Sequence, residues 1–318
     1  MTFSPDDLPE KPTDAAPVWG QAPSPSCPER SRRVQAERTG APVKPGVGLT
    51  GWRNSADDAG HGPQLELVPA LLDKAPLDPP WSGLDVFRLV IMAIVAIVAC
   101  FLAIFALVPG ATLQARILRL SALPELFIVA QMVAYLLLLG YMYILVTKER
   151  GSPRFWKTLH WNWPANIWPF LAVGLALQIG CLLLAHFLPF PKVTPFDELL
   201  QRHATIVLVA VFAVTLGPLM EELFFRGFLY PVLARRFGVG TGISVTALGF
   251  GLMHAAQYGY SWASVLLIFL VGVVLGVVRA RTDSVAAGFL VHIAYNGTIA
   301  VLMFAATSGF RHLERLTQ

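Results

Sequence analysis

Charge is scarce in this chain. Asp, Glu, Lys and Arg make up 14% of its 318 residues and hydrophobic residues 55%, whereas a soluble domain carries about 25% charged residues. That deficit excludes a soluble enzyme and a wholly disordered chain. Cysteine is also rare. Cys27, Cys100 and Cys181 have no motif spacing, so neither a disulfide scaffold nor a CxxC or zinc-cysteine site is available. Protease signatures of the common kinds are missing too. GxSxG is absent, since Gly242-Ile243-Ser244-Val245-Thr246 lacks the closing glycine. HExxH is absent, and an aspartyl protease needs two membrane aspartates, for which the only candidate, Asp283, falls in a loop. A basic start followed by an apolar core, the mark of a signal peptide, is not found either.

What is present is apolar run after apolar run. Residues 1–82 hold 11 acids and 8 bases and are rich in Pro, Gly, Ser and Ala. They read as a disordered, Pro-rich cytoplasmic tail, with 65–72 as a short apolar patch. Residues 83–318 hold 9 acids and 16 bases and contain apolar stretches near 86–108, 126–147, 167–188, 205–233, 240–258, 262–281 and 284–306. A bilayer crossing takes about 20 helical residues. The expected fold is therefore all-α, a polytopic membrane helix bundle of seven to eight transmembrane segments. The count reaches eight if Gly217-Pro218 divides the long fourth stretch, since proline interrupts a helix.

Loop charge sets the orientation. Lys148, Arg150, Arg154, Lys157, Arg235, Arg236, Arg279 and Arg281 fall on one side. Arg116, Arg119, Lys192, Arg202, Arg311 and Arg315 fall on the other. The positive-inside rule puts the N-terminus in the cytoplasm, and it explains the basic body without nucleic acid as a partner. The lipid bilayer is the expected partner, in a plasma (bacterial inner) membrane rather than the endoplasmic reticulum. Residues 314–318 hold no cysteine, so the chain itself is not expected to carry a C-terminal prenyl group.

Ionisable side chains inside spans are costly and tend to be functional. Here they are few. The fourth stretch contains Glu221, Glu222 and Arg226. Glu222 and Arg226 share a helix face in the favoured acid-before-base order, while Glu221 points about 100° away. Arg226 thus neutralises Glu222, and Glu221 is free to face a cavity as a general base. His254 follows Phe250 by one turn in the fifth stretch. His292 and Asn296 lie one turn apart in the seventh. From the proposed cytoplasmic ends, Glu221, His254 and His292 lie about 18, about 21 and about 12 Å deep, close enough to share one layer. Read singly, each has a structural alternative: an ion pair, a satisfied core histidine, interhelical hydrogen bonding. Gly272 and Gly276 form a GxxxG pattern that fits close packing within the chain better than a dimer seam.

EExxxR at 221–226, FxxxH at 250–254 and HxxxN at 292–296 occur in this order. With these motifs the sequence resembles the CPBP family of CAAX proteases and bacteriocin-processing proteins (the ABI family). The Ras-converting CAAX prenyl endopeptidase is the eukaryotic branch. The resemblance covers 204–304. It implies an intramembrane endopeptidase with a water-filled cavity, acting on a membrane-associated or lipidated (CAAX-like) protein or peptide. Carried over, Glu221 is the catalytic glutamate and His254 helps it activate water. His292 and Asn296 form the oxyanion site, and Glu222, Arg226 and Phe250 support them. The family mechanism resembles that of a metal-free glutamate protease, so no cofactor is expected. Zinc is the minor alternative, held by Glu221, His254 and His292. Rival functions are a catalytically silent peptide-binding or bacteriocin-immunity protein, and a proton-coupled transporter, which membrane Glu and His would allow but the lack of an internal repeat disfavours.

Overall fold

The computed structural model of the protein describes residues 78–191 and 193–316, all within one compact unit, His61–Gln318. The reading of residues 1–77, including the apolar patch at 65–72, lies outside the described residues. Every regular element among the described residues is helical. Among the described residues, six helices are long and apolar enough to cross a membrane: α1 (Gly83–Leu107), α2 (Glu125–Glu149), α3 (Trp168–Ala185), α4 (His203–Phe237), α6 (Trp262–Thr282) and α7 (Val285–Ala306). A shorter apolar helix, α5 (Val239–Met253), lies between α4 and α6. These match the seven apolar stretches.

The outer surface is apolar, as lipid requires. Leu102 is 62% exposed, Leu183 65% and Val301 67%. Polar groups are gathered inside instead: Glu222, Arg226, Thr246, Arg279 and His292 are buried. Lipid tails are as apolar as leucine, so close packing and polar contacts rather than the hydrophobic effect hold such helices together. One core joins α1, α2 and α4 through Leu89, Met142 and Leu223. A second joins α3 to α7 through Cys181, Phe225, Phe250, Leu275 and Val291. The GxxxG pattern works within the chain. A Cβ on Gly272 would lie 2.9 Å from Ala247 Cα, so α6 meets the α5 backbone there, and one on Gly276 would lie 3.0 Å from Ile243 Cγ2, so the Ile243 side chain packs into that glycine.

Residues 78–82, grouped by composition with the tail, pack on this body. Trp81 is buried, and Ser82 caps α1 through a reciprocal capping box with Asp85. Asp85 in turn pairs with Arg150 at the end of α2.

Two irregularities position the functional side chains. The fourth stretch does break, but at Thr215, whose φ and ψ of −124° and −91° are not helical. Pro218 then falls in the first turn of the resumed helix, where its missing N–H costs nothing. Beyond Glu221 the helix widens to π geometry over Glu222–Leu229 before Tyr230–Phe237 closes it. The second irregularity is the length of α5. Its 15 residues span about 22 Å, short of the about 30 Å hydrocarbon core. His254 caps its C-terminal end, so the histidine is carried at membrane depth rather than at the surface.

Candidate active site

A cavity of about 460 Å³ lies between α2, α4, α5 and α7. Glu221, His254, His292 and Asn296 all line it. The residues singled out in three separate stretches are thus brought together. His254 Nε2 is 3.8 Å from Glu221 Oε1, and His292 Nε2 is 3.5 Å from Glu221 Oε2. The side chains of Glu221 and His254 are 15% and 17% exposed, which is access to the cavity for a small polar molecule. The rest of the lining is mostly apolar, with Tyr135, Tyr258, Tyr295, Gln131 and Gln257 as further polar members and no lysine or arginine among the described residues.

Behind Glu221 sits a fully buried layer. Arg226 Nη1 donates to Glu222 Oε1 at 2.9 Å, and Nη2 donates to Gly272 O at 3.0 Å. The Arg226 guanidinium lies 4.8 Å from the Phe250 ring centroid, a cation–π contact strengthened by desolvation. Glu222 Oε1 also meets His292 Nδ1 at 3.0 Å. Glu222 therefore does more than pair with Arg226: it fixes the imidazole that faces Glu221. Gly288 makes room for it, since a Cβ there would fall 2.6 Å from Glu222 Oε2.

Hydrogen bonds on the far nitrogens constrain the histidines. His254 Nδ1 is 2.8 Å from Phe250 O. A carbonyl only accepts, so Nδ1 carries the proton and Nε2 presents a lone pair to the cavity when the ring is neutral. His292 Nδ1 likewise faces an acceptor, the Glu222 carboxylate. For His292 Nε2 to donate into the cavity, the ring must therefore hold both protons, an imidazolium between two carboxylates. Asn296 Nδ2 donates to Ala213 O at 2.7 Å, a carbonyl freed where α4 breaks at Thr215. One N–H of that amide is spent on the helix break, and the second remains for the cavity.

Two partners hold the π segment from outside. Trp81 Nε1 donates to Phe228 O at 3.0 Å, with its ring 4.7 Å from that of Phe228. Arg279 Nε donates to Arg226 O at 3.2 Å and Nη1 to Asp283 Oδ1 at 2.7 Å. π segments frequently mark functional sites, and these two side chains serve carbonyls along this one. At the α6–α7 turn, burial works to raise the Asp283 carboxyl. Hydrogen bonds to His160 and Arg279 and the Arg279 charge overcome it and hold the carboxyl well below the usual range.

The set that zinc would use is Glu221, His254 and His292. Among the described residues, no group of three or more His, Cys, Asp or Glu side chains is gathered as a metal site.

Residues 203–298 match the family model of type II CAAX prenyl endopeptidases, Rce1-like. The chain carries an Rce1-like domain. The match begins at the start of α4, runs through α5 and α6, and ends within α7, so it contains Glu221, Glu222, Arg226, His254, His292 and Asn296. It lies inside the 204–304 core of the resemblance but for its first residue. No curated protein and no solved structure matches the chain. The long apolar helices make this an integral, multi-pass membrane protein, and its residues 203–298 are similar to the type II CAAX prenyl endopeptidases. Outside the domain, α1, α2 and α3 complete the bundle, and α2 supplies part of the cavity wall.

Proposed function

We propose that the protein is an intramembrane endopeptidase that hydrolyses a peptide bond of a lipidated, CAAX-like protein or peptide with a glutamate-activated water. One observation carries the proposal. Glu221 lies between His254 Nε2 and His292 Nε2, at 3.8 and 3.5 Å, in the wall of an otherwise largely apolar cavity.

In this reading a water sits between Glu221 and His254 Nε2. Glu221 takes one of its protons as the oxygen bonds to the scissile carbonyl carbon. The oxyanion forms beside His292 and Asn296. With both ring nitrogens protonated, His292 is held through Nδ1 by Glu222 and donates from Nε2, and Asn296 donates its uncommitted N–H. Collapse breaks the C–N bond, and the proton held by Glu221 passes to the leaving amine. No metal takes part in these steps. Lipid-facing helices around the cavity favour a substrate delivered from the bilayer, and the absence of Lys and Arg from the lining favours an apolar peptide. The charge of the loops supports a cytoplasmic N-terminus.

The test uses purified protein in vesicles with a prenylated peptide ending in a CAAX sequence. The expected result is release of the terminal residues, retained after dialysis against a chelator. Stoichiometric zinc with chelator-dependent loss of turnover would replace the glutamate mechanism by a metal one. Binding without cleavage would favour the silent peptide-binding reading.

A further inference from the structure

The cavity wall next to Glu221 is not built by the Rce1-like domain alone. Helix α2, outside residues 203–298, contributes Gln131 and Tyr135, one turn apart and both lining the cavity. Gln131 Nε2 donates to the Tyr135 hydroxyl oxygen at 3.2 Å. The Tyr135 ring packs against Phe212, 5.6 Å between centroids, just before the break in α4. The phenol is thereby held, and its oxygen already accepts a hydrogen bond. Its own proton is turned elsewhere, and among the described residues no acceptor takes it. Tyr135 lines the same cavity as Glu221.

A peptide drawn into this cavity brings carbonyls that bulk water no longer serves, and each unsatisfied one is costly at membrane depth. With no Lys or Arg in the described lining, the donors that meet them are histidines, amides and hydroxyls. His292 and Asn296 are assigned to the scissile carbonyl. A hydroxyl with a free proton, on a different helix beside Glu221, is suited to a carbonyl flanking it.

We propose that Tyr135 is a substrate-binding residue that donates its hydroxyl to a backbone carbonyl of the bound peptide next to the scissile bond, with Gln131 as the positioning residue that aims it. This rests on the proteolytic reading above. Because the bond is made in the ground state and the transition state alike, its loss belongs in KM.

The experiment measures kcat and KM of the full-length protein in vesicles on a prenylated CAAX peptide. Tyr135→Phe, which keeps the ring, is expected to raise KM about tenfold with kcat within about twofold of wild type, the worth of one neutral hydrogen bond. Gln131→Leu, which keeps the hydroxyl but not its orienting donor, is expected to raise KM about threefold. It serves alone if Tyr135→Phe does not accumulate in the membrane. Unchanged KM in the variants, or a loss confined to kcat, overturns the assignment and leaves the proteolytic reading intact. No turnover by the wild type overturns both.

Discussion

His292 Nδ1 lies 3.0 Å from Glu222 Oε1, while the other nitrogen of the same ring faces Glu221 at 3.5 Å. One imidazole thus spans two neighbouring carboxylates with different tasks. Glu222, buried and tied to Arg226, sets the ring's orientation. Glu221 meets the cavity. The outer carboxylate of such a carboxylate–imidazole pair acts through the ring that it holds.

Glu222→Gln tests that division. It keeps the shape but leaves Arg226 as a buried, unpaired charge and puts an amide in place of the carboxylate that orients His292. Breaking a buried ion pair costs about 3–5 kcal/mol. Thermal unfolding in detergent should show a marked loss of stability, and the folded fraction should lose at least about a hundredfold in kcat, on the scale of removing an oxyanion donor. Wild-type kcat in the variant would contradict the role given to Glu222.

Gly288→Ala places a methyl group where the Glu222 carboxylate now lies, 2.6 Å from Oε2. Overpacking of a tight interior costs about 1–3 kcal/mol. Glu222 must shift and carry His292 with it, so activity should fall more than stability does. Alanine at Gly180 of α3, where a Cβ meets nothing within 4 Å, is the control expected to leave both unchanged.

Trp81→Phe keeps an aromatic ring beside Phe228 but removes the N–H that serves the Phe228 carbonyl. A buried acceptor left unpaired costs about 1–3 kcal/mol. The unfolding midpoint should drop, whereas removal of residues 1–77 alone should not lower it. An unchanged midpoint in Trp81→Phe would show that the π segment does not depend on this anchor.

Asp283 gives a pH dependence outside the membrane. Its carboxyl is depressed in the folded protein by His160 and Arg279, relative to about 3.9 in an unfolded chain. The unfolded state therefore binds the proton more readily. The stabilisation is complete above about pH 5 and is lost as pH falls below about 4. Asp283→Asn should lower the unfolding midpoint at pH 7 and flatten its decline between pH 5 and 3. The same acid slope in both proteins would remove Asp283 as its source.

Much of this was legible in the sequence because a membrane makes polarity conspicuous. Glu221, His254, His292 and Asn296 stood out as rare polar groups in apolar runs, and run length alone located the seven helices. The break in α4 was legible only approximately. Proline drew attention to Gly217-Pro218, yet Pro218 fits the first turn and the distortion falls on Thr215. The π segment could not be read at all, since the partners that serve its carbonyls, Trp81 and Arg279, are distant in sequence. The Glu222–His292 bond joins residues 70 apart, and nothing local pairs an acid with a histidine on another helix. Tyr135 was equally hidden. It is one of three tyrosines on α2, with Tyr141 and Tyr143, and only the packed bundle shows which of them faces the cavity.

The most direct test of Glu221 as the residue that activates water compares peptide termini by mass spectrometry in membranes from two cell populations. One makes the wild-type protein, the other an equal amount of Glu221→Gln. New termini present only with the wild type are expected, and they would name the substrate as well as the reaction. The same new termini in both would contradict a glutamate-activated water.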